Sequence, residues 1–215
     1  MHIFSTIVKF FQDSGIFIIP SIFVLALGLS IATERFIYLS RSRSTNRKMW
    51  NELRPLLNSG KFQQVLAITE RSETAIAKIL SHGISRLKNA RRREEIDAAM
   101  EEGMMEVVPR LEKRTHYIAT FANVVTLLGL LGTIIGLIQA FTAVAHVNPS
   151  EKAELLSASI SIAMNNTAFG LMIAIPFLLI HAFLQARTSE IVDSLEAAKV
   201  SFLNTVERIK PATGA

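Results

Sequence analysis

Apolar residues along this chain gather in three long stretches that contain no Asp, Glu, Lys or Arg. The stretches run from residue 14 to 33, from 117 to 150 and from 155 to 186. A helix needs roughly 20 consecutive apolar residues to cross the hydrocarbon core of a bilayer. The pattern therefore predicts three membrane-spanning helices, at residues 14–39, 116–147 and 155–187. The turn residues Asn148-Pro149-Ser150 open a short connection at 148–154, which makes the second and third spans an antiparallel hairpin.

The first stretch also has a feature of a signal peptide, a small-x-small site at Ser30-Ile31-Ala32. Its apolar run is too long for a typical signal core, and basic residues follow it closely. We therefore expect a retained span. Residues 1–13 before it are apolar at helical spacing and are predicted to form an interfacial helix on the outer surface. The alternative is a simple extension of the first span.

Basic residues are concentrated on one side of the predicted spans. Six lie just after the first span and three just before the second, whereas the 148–154 connection holds only Lys152 between two glutamates. The positive-inside rule then places residues 40–115 and the tail 188–215 in the cytoplasm, and the N-terminus on the periplasmic side. The basic residues are Arg35, Arg41, Arg43, Arg47, Lys48, Arg54, Arg110, Lys113 and Arg114.

Composition narrows the classes of function. Half of the 215 residues are hydrophobic and 19% are charged, with a net charge of +5, and the basic residues lie beside apolar stretches. This placement favours contact with anionic lipid over nucleic acid. The chain has no Cys, and its five His residues lack metal-ligand spacing. We therefore expect no catalytic residues, no metal site and no cofactor. The protein is not expected to be an enzyme.

Helical patterns dominate the predicted cytoplasmic segment. Helices are expected at about 49–57, 62–69 and 74–87, with a break at Asn58-Ser59-Gly60. A further pattern repeats every three to four residues and runs into the second span, with a kink at Pro109. A similar period continues past the third span. Two long helices leaving the membrane side by side suggest an oligomer. The periodic residues are Ile96, Met100, Met104, Val107, Val108 and Leu111, then Ile191, Leu195, Ala198 and Phe202.

The second span carries a face with almost no side chains, formed by Gly129, Gly132 and Gly136. The third span carries Gly170. Such faces allow two helices to approach closely in lipid, so these glycines are predicted to pack helices together.

Polar residues also lie inside the second and third spans. Thr126 and Thr133 share one stripe of span two, and span three contains Asn165-Asn166-Thr167. Amide groups are costly in hydrocarbon, so they are expected to face the protein interior or an aqueous path. Thr133 and Thr167 lie at similar depth on antiparallel helices and could face each other. Because neither group stores a proton near neutral pH, a titrating group would have to come from another polypeptide.

At these residues the chain resembles the MotA/TolQ/ExbB proton-channel family, and specifically its three-span ExbB/TolQ branch. The second-span segment Leu128-Gly129-Leu130-Leu131-Gly132-Thr133, with Gly136 and Phe141, is close to that family's pattern. The third-span segment Thr167-Ala168-Phe169-Gly170-Leu171, with Ala174-Ile175-Pro176, is close as well. Glu34-Arg35 at the inner end of span one also fits.

The resemblance implies a bacterial inner-membrane protein that forms a homo-oligomer, expected to be a pentamer. The ring would surround a small single-span ExbD/TolR-like protein whose membrane Asp takes up protons, and a TonB-like protein is a further candidate partner. Thr133 and Thr167 match the family's pore-facing threonines. Asn165, Asn166 and Thr126 are expected to share the ion pathway or the contact with the partner's Asp.

The sequence departs from the family pattern at Ile162, where many relatives place a Glu. The function expected first is a stator-type subunit that converts ion-motive force into work across the cell envelope, such as TonB-type transport. The alternative is a non-conducting membrane scaffold or assembly factor of the same fold. A self-contained transporter ranks lower, since the spans hold no buried charge and no internal repeat.

Overall fold

Every secondary-structure element among the residues that the structure describes is an α-helix. This structure is a computed structural model, and it describes residues 18–87, 89–90, 92–145 and 147–209. The predicted interfacial helix at residues 1–13 lies outside the described residues. The helices are α1 (Ile18–Asn58), α2 (Phe62–Thr69), α3 (Ala75–Leu87), α4 (Arg93–Glu112), α5 (Thr115–Ala145) and α6 (Lys152–Ile209).

Three stretches within the described residues are long and apolar enough to cross a membrane. They lie in α1, in α4 taken together with α5, and in α6. The prediction of an all-α membrane protein with three spans is therefore confirmed. The exact membrane boundaries at 14–39, 116–147 and 155–187, and the side of the membrane on which each terminus lies, stay predictions.

The chain forms two compact units, and the long helices contribute to both. One unit, here called the span unit, contains α1 up to Thr33 together with Arg114–Phe183. The other, here called the charged unit, contains Glu34–Lys113 and the chain from Leu184 onward.

The prediction of one continuous helix from residue 96 into span two is wrong, because a two-residue turn interrupts it. α4 ends at Glu112, and α5 begins at Thr115. Lys113 has ψ 132°, and Arg114 has φ 67°, so both residues leave the right-handed helical region. Pro109 lies inside α4, and its carbonyl accepts the backbone N–H of Lys113 at 3.0 Å.

The predicted separate helix at 49–57 is instead the last part of α1, which runs unbroken to Asn58. The expected break follows at once. Gly60 has φ 73°, a left-handed conformation that glycine adopts without a steric penalty. The predicted helix at 62–69 is confirmed as α2, and the one at 74–87 is α3, which begins one residue later.

Apolar side chains at helical spacing build the core of the charged unit. The α3 positions Ile76, Ile79, Leu80 and Ile84 are all buried, as expected for one face of an amphipathic helix. Full burial of a side chain of this size contributes about 1.5–3 kcal/mol. Buried residues of the other elements include Leu53, Val65, Ile96, Met100, Met104, Val107, Leu111, Ile191, Leu195, Ala198 and Phe202.

Close approach within this core depends on Gly83. A methyl group built at Gly83 would lie 2.7 Å from Cγ of Met100 and 3.1 Å from the ring of Phe202. Since protein interiors are densely packed, the missing side chain is what allows α3, α4 and α6 to meet at this point.

Ion pairs join α6 to α4 on the surface of the charged unit. The ammonium group of Lys199 lies 3.1 Å from Asp97 and 2.7 Å from Glu101. Burial alone would lower the pKa of Lys199, but the hydrogen bonds that it donates to Glu101 and Asp97 outweigh this effect and hold that pKa above its usual value. Lys199 therefore stays charged across the neutral range. Arg93 on α4 also forms an ion pair with Glu207 and donates a hydrogen bond to the side chain of Asn204, both on α6.

Arg35 joins α1 to the end of α4. Its side chain is buried, and its Nη2 donates a hydrogen bond to the carbonyl of Leu111 in the last turn of α4. Its guanidinium carbon lies 4.6 Å from the centre of the Tyr38 ring, a cation–π distance. A cation at a helix C-terminus also interacts favourably with the negative end of the helix dipole.

Candidate functional site

Glycines bring α5 and α6 into backbone contact in the span unit. A methyl group built at Gly129 would lie 2.9 Å from the Asn166 carbonyl oxygen and 3.3 Å from Cα of Gly170. One built at Gly170 would lie 2.8 Å from the carbonyl oxygen of Val125. The two helices therefore touch through main-chain atoms, with no room for a side chain.

The same line of contact continues along α5. A methyl group at Gly132 would lie 2.9 Å from Cβ of Asn166, and one at Gly136 would lie 2.9 Å from Cβ of Ala163. No hydrophobic driving force acts between helices in lipid, so their association depends on van der Waals contact. Small residues increase that contact because they let the two backbones approach closely. The four predicted glycines all lie on this line.

Thr133 and Thr167 lie directly opposite each other across this contact. Their Oγ1 atoms are in hydrogen-bonding contact, and both side chains are half-buried. Thr133 Oγ1 also lies 3.1 Å from the Gly129 carbonyl oxygen and 3.3 Å from that of Ala163. Thr167 Oγ1 lies 3.1 Å from the Gly129 carbonyl oxygen. Two hydroxyls and two carbonyls thus form a cluster of four oxygens, which we call the oxygen cluster.

The oxygen cluster has more acceptors than donors. A threonine hydroxyl carries one hydrogen and two lone pairs, and a carbonyl carries no hydrogen. The side chains thus bring only two hydrogens to the four oxygens, and each carbonyl also accepts one main-chain N–H within its helix. An incoming group that brings a hydrogen or a positive charge can use the spare lone pairs, and rotation of the hydroxyls lets the same site donate to an anion.

The other predicted polar residues lie near the cluster on the same helices or further along them. Asn166 is 8% exposed, and its side chain packs against Gly132. Asn165 is half-buried. Thr126 is also half-buried, and its hydroxyl donates to the carbonyl of Ala122 at 2.9 Å. The structure thus joins Thr133 with Thr167 and packs Asn166 against Gly129 and Gly132, whereas Thr126 bonds only within its own helix.

The first span contacts α6 through another glycine. A methyl group built at Gly28 would lie 2.3 Å from the ring of Phe177, which is fully buried. This contact fixes α1 against the helix that carries Thr167. Within the described residues, no group of three His, Asp or Glu side chains could hold a metal ion.

Residues 71–197 match the model of the MotA/TolQ/ExbB proton channel family. The chain belongs to this family. The matched range includes the whole oxygen cluster, and the resemblance expected from the sequence is confirmed. The family that matches is one of proton channels and is not an enzyme family.

Individual members of the MotA/TolQ/ExbB family match over much of the chain. An ExbB homolog from Methanothermobacter thermautotrophicus is 23% identical over 201 residues, which is 93% of this chain and 70% of the relative. The biopolymer transport protein ExbB of Neisseria meningitidis serogroup A is 25% identical over 88% of this chain and 92% of the relative. The Tol-Pal system protein TolQ of Haemophilus influenzae is 32% identical over 43% of this chain and 40% of the relative.

Sequence reasoning missed three parts of the site. It did not find the carbonyl oxygens of Gly129 and Ala163, because a backbone acceptor leaves no mark in a sequence. It also missed the contact between Gly28 and Phe177. An isolated glycine inside an apolar stretch was the available signal for that contact.

Proposed function

We propose that this protein is the ring-forming ion-channel subunit of an ExbB–ExbD-like or TolQ–TolR-like complex in a bacterial inner membrane. The complex would use ion-motive force, carried by protons, to drive work across the cell envelope, such as TonB-type transport. The observation that carries the proposal is the oxygen cluster, built from Thr133 and Thr167 in spans that hold no carboxylate of their own.

The missing carboxylate defines the partner. A proton-driven device needs a group that gains and loses a proton within the membrane. Since residues 117–150 and 155–186 contain no Asp or Glu, that group has to come from another chain. We propose a small single-span ExbD/TolR-like protein with an Asp at this depth. An Asp at the bilayer centre costs about 2.5–3.5 kcal/mol on insertion scales, and a hydroxyl-lined surface lowers that cost.

The oxygen cluster can serve both protonation states of such an Asp. A protonated carboxyl group donates its hydrogen to a spare lone pair of the cluster. An ionised carboxylate instead accepts hydrogen bonds from the two threonine hydroxyls after they rotate. The preferred geometry therefore differs between the two states, and each protonation event shifts the partner relative to the ring.

The available energy is sufficient for mechanical work. One charge that crosses a membrane potential of ~150 mV releases about 3.5 kcal/mol, at about 2.3 kcal/mol per 100 mV. We propose that a homo-oligomer, as a pentamer, repeats the step around a central partner. The N-terminus would lie in the periplasm and the C-terminus in the cytoplasm. A TonB-like protein would receive the mechanical work.

A second candidate function is favoured by Ile162. This residue lies 40% exposed on α6, at the position where the resemblance expects a Glu. A ring without that carboxylate could serve as a scaffold or assembly factor that conducts nothing.

Mass spectrometry of the complex, purified gently from its native membrane, separates these functions. We expect a ring of this chain together with a small single-span protein that carries a membrane Asp. A ring with an empty centre, or one that holds a different large partner, would reject the channel proposal in favour of the scaffold.

A further inference from the structure

A cavity of about 290 Å³ opens on the charged unit, between α1, the start of α3 and the end of α4. The lining includes the ring of Tyr38, which is 40% exposed, and the basic residues Arg41, Lys78 and Arg110. This combination of an exposed aromatic ring and basic side chains differs from the oxygen cluster and is not used by the proposed channel function.

Two of the three basic groups are already matched by carboxylates. Lys78 lies 2.9 Å from Glu73 and 3.3 Å from Glu106, and Arg110 lies 2.9 Å from Glu106. The hydrogen bonds that Lys78 donates to Glu73 and Glu106 raise the pKa of Lys78, and the one to Glu73 lowers the pKa of that carboxyl group. Lys78 and Glu73 therefore stay ionised near neutral pH.

Arg41 has a different environment from the other two basic residues. Within the described part of the chain, its guanidinium forms no ion pair or hydrogen bond. Three basic side chains against two carboxylates leave the cavity with one net positive charge. That charge is located at Arg41 and is available to a ligand.

The cavity also lies where the apolar surface of α1 ends. Phe36 and Ile37 are 53% and 60% exposed, as expected of residues that meet lipid or another apolar surface. Tyr38 follows, and tyrosine is enriched at the membrane–water interface. Arg41 is only three residues further, which is ~4.5 Å along a helix. Its long side chain reaches the headgroup layer easily.

We propose that this cavity binds the headgroup of an anionic glycerophospholipid with one net negative charge, with Arg41 on its phosphate. A guanidinium group binds phosphate through two parallel hydrogen bonds, and the single negative charge matches the single uncompensated positive charge. The exposed ring of Tyr38 would face the glycerol backbone and the first acyl carbons. Hydroxyl groups of Ser42, Thr45 and Thr74 line the cavity near a polar headgroup.

Native mass spectrometry of the full-length assembly in nanodiscs tests this proposal. The nanodiscs contain equal amounts of phosphatidylglycerol and phosphatidylcholine, and the spectra give the ratio of the two lipids retained by the protein. We expect phosphatidylglycerol to be enriched. Arg41→Gln should lower the enrichment at least roughly tenfold, as expected when a charge-assisted contact with two hydrogen bonds is lost.

Two further variants make the test specific. Arg47→Gln removes the same charge from an exposed position of α1 outside the cavity, and it should leave the enrichment unchanged. Thr45→Phe keeps every charge but fills the cavity, and it should abolish the enrichment. Equal effects of Arg41→Gln and Arg47→Gln, or wild-type enrichment in Thr45→Phe, would overturn the proposal. Binding of inorganic phosphate without any lipid enrichment would identify a free anion as the ligand and would overturn it as well.

Discussion

Thr167→Val is expected to abolish ion-driven work while the oligomer still assembles. Valine has nearly the same shape as threonine, so the packing of α6 against α5 should survive. The substitution removes a hydroxyl that contacts Thr133 and the Gly129 carbonyl. A hydrogen bond to a charged group, here the proposed carboxylate of the partner protein, contributes about 1.5–3 kcal/mol. Its loss should therefore lower the ion flux roughly tenfold to hundredfold. Flux into proteoliposomes that contain the complete complex measures this effect.

Thr142→Val is the matched control for this experiment. Thr142 lies on α5, is exposed, and donates its hydroxyl only to the carbonyl of Ile138 within its own helix. It should therefore conduct at the wild-type level. Full flux in Thr167→Val would remove the hydroxyl of Thr167 from the ion pathway, whatever the control shows.

Gly129→Val is expected to separate α5 from α6 and to destabilise the span unit. A methyl group at this position would lie 2.9 Å from the Asn166 carbonyl oxygen and 3.2 Å from Cα of Thr167. Main-chain atoms cannot rotate away as the end of a side chain can, so the helices have to move apart. Overpacking of this kind costs about 1–3 kcal/mol. The apparent melting temperature in detergent should fall by roughly 2–4 °C per kcal/mol, and ion flux should also be lost.

Ala143→Val places the same valine side chain at an exposed position of α5 and serves as its control. Its melting temperature should match that of the wild type. A wild-type melting temperature in Gly129→Val would show that the close contact between the two helices does not stabilise the protein.

The positions of α2 and α3 were predictable because the apolar period is strong and Gly60 with its polar neighbours marks the break before them. The periodic residues from Ile96 to Leu111 are buried, except that Val108 is only half-buried. The turn at Lys113 and Arg114 was not predictable. A left-handed residue is usually Gly or Asn, and here the position is held by an arginine that gives no local signal.

The candidate site was predictable only as far as side chains determine it. The sequence placed Thr133 and Thr167 at similar depth and identified the glycines that share one helix face. It could not show that Gly129 and Ala163 supply carbonyl oxygens, because that depends on how closely two backbones approach. The role of Asn165 was equally unpredictable, since a half-buried amide can face another chain or another copy of this one.

Disulfide trapping of the partner tests the central claim most directly. The natural chain has no cysteine, so a single Thr133→Cys variant carries one unique thiol per subunit. The membrane Asp of the co-purified partner is replaced by Cys as well. We predict a cross-link between these two positions, and none from Thr142→Cys, which lies nine residues away and so on the opposite face of α5. A cross-link from Thr142→Cys with none from Thr133→Cys would contradict the proposal that the oxygen cluster faces the partner's carboxylate.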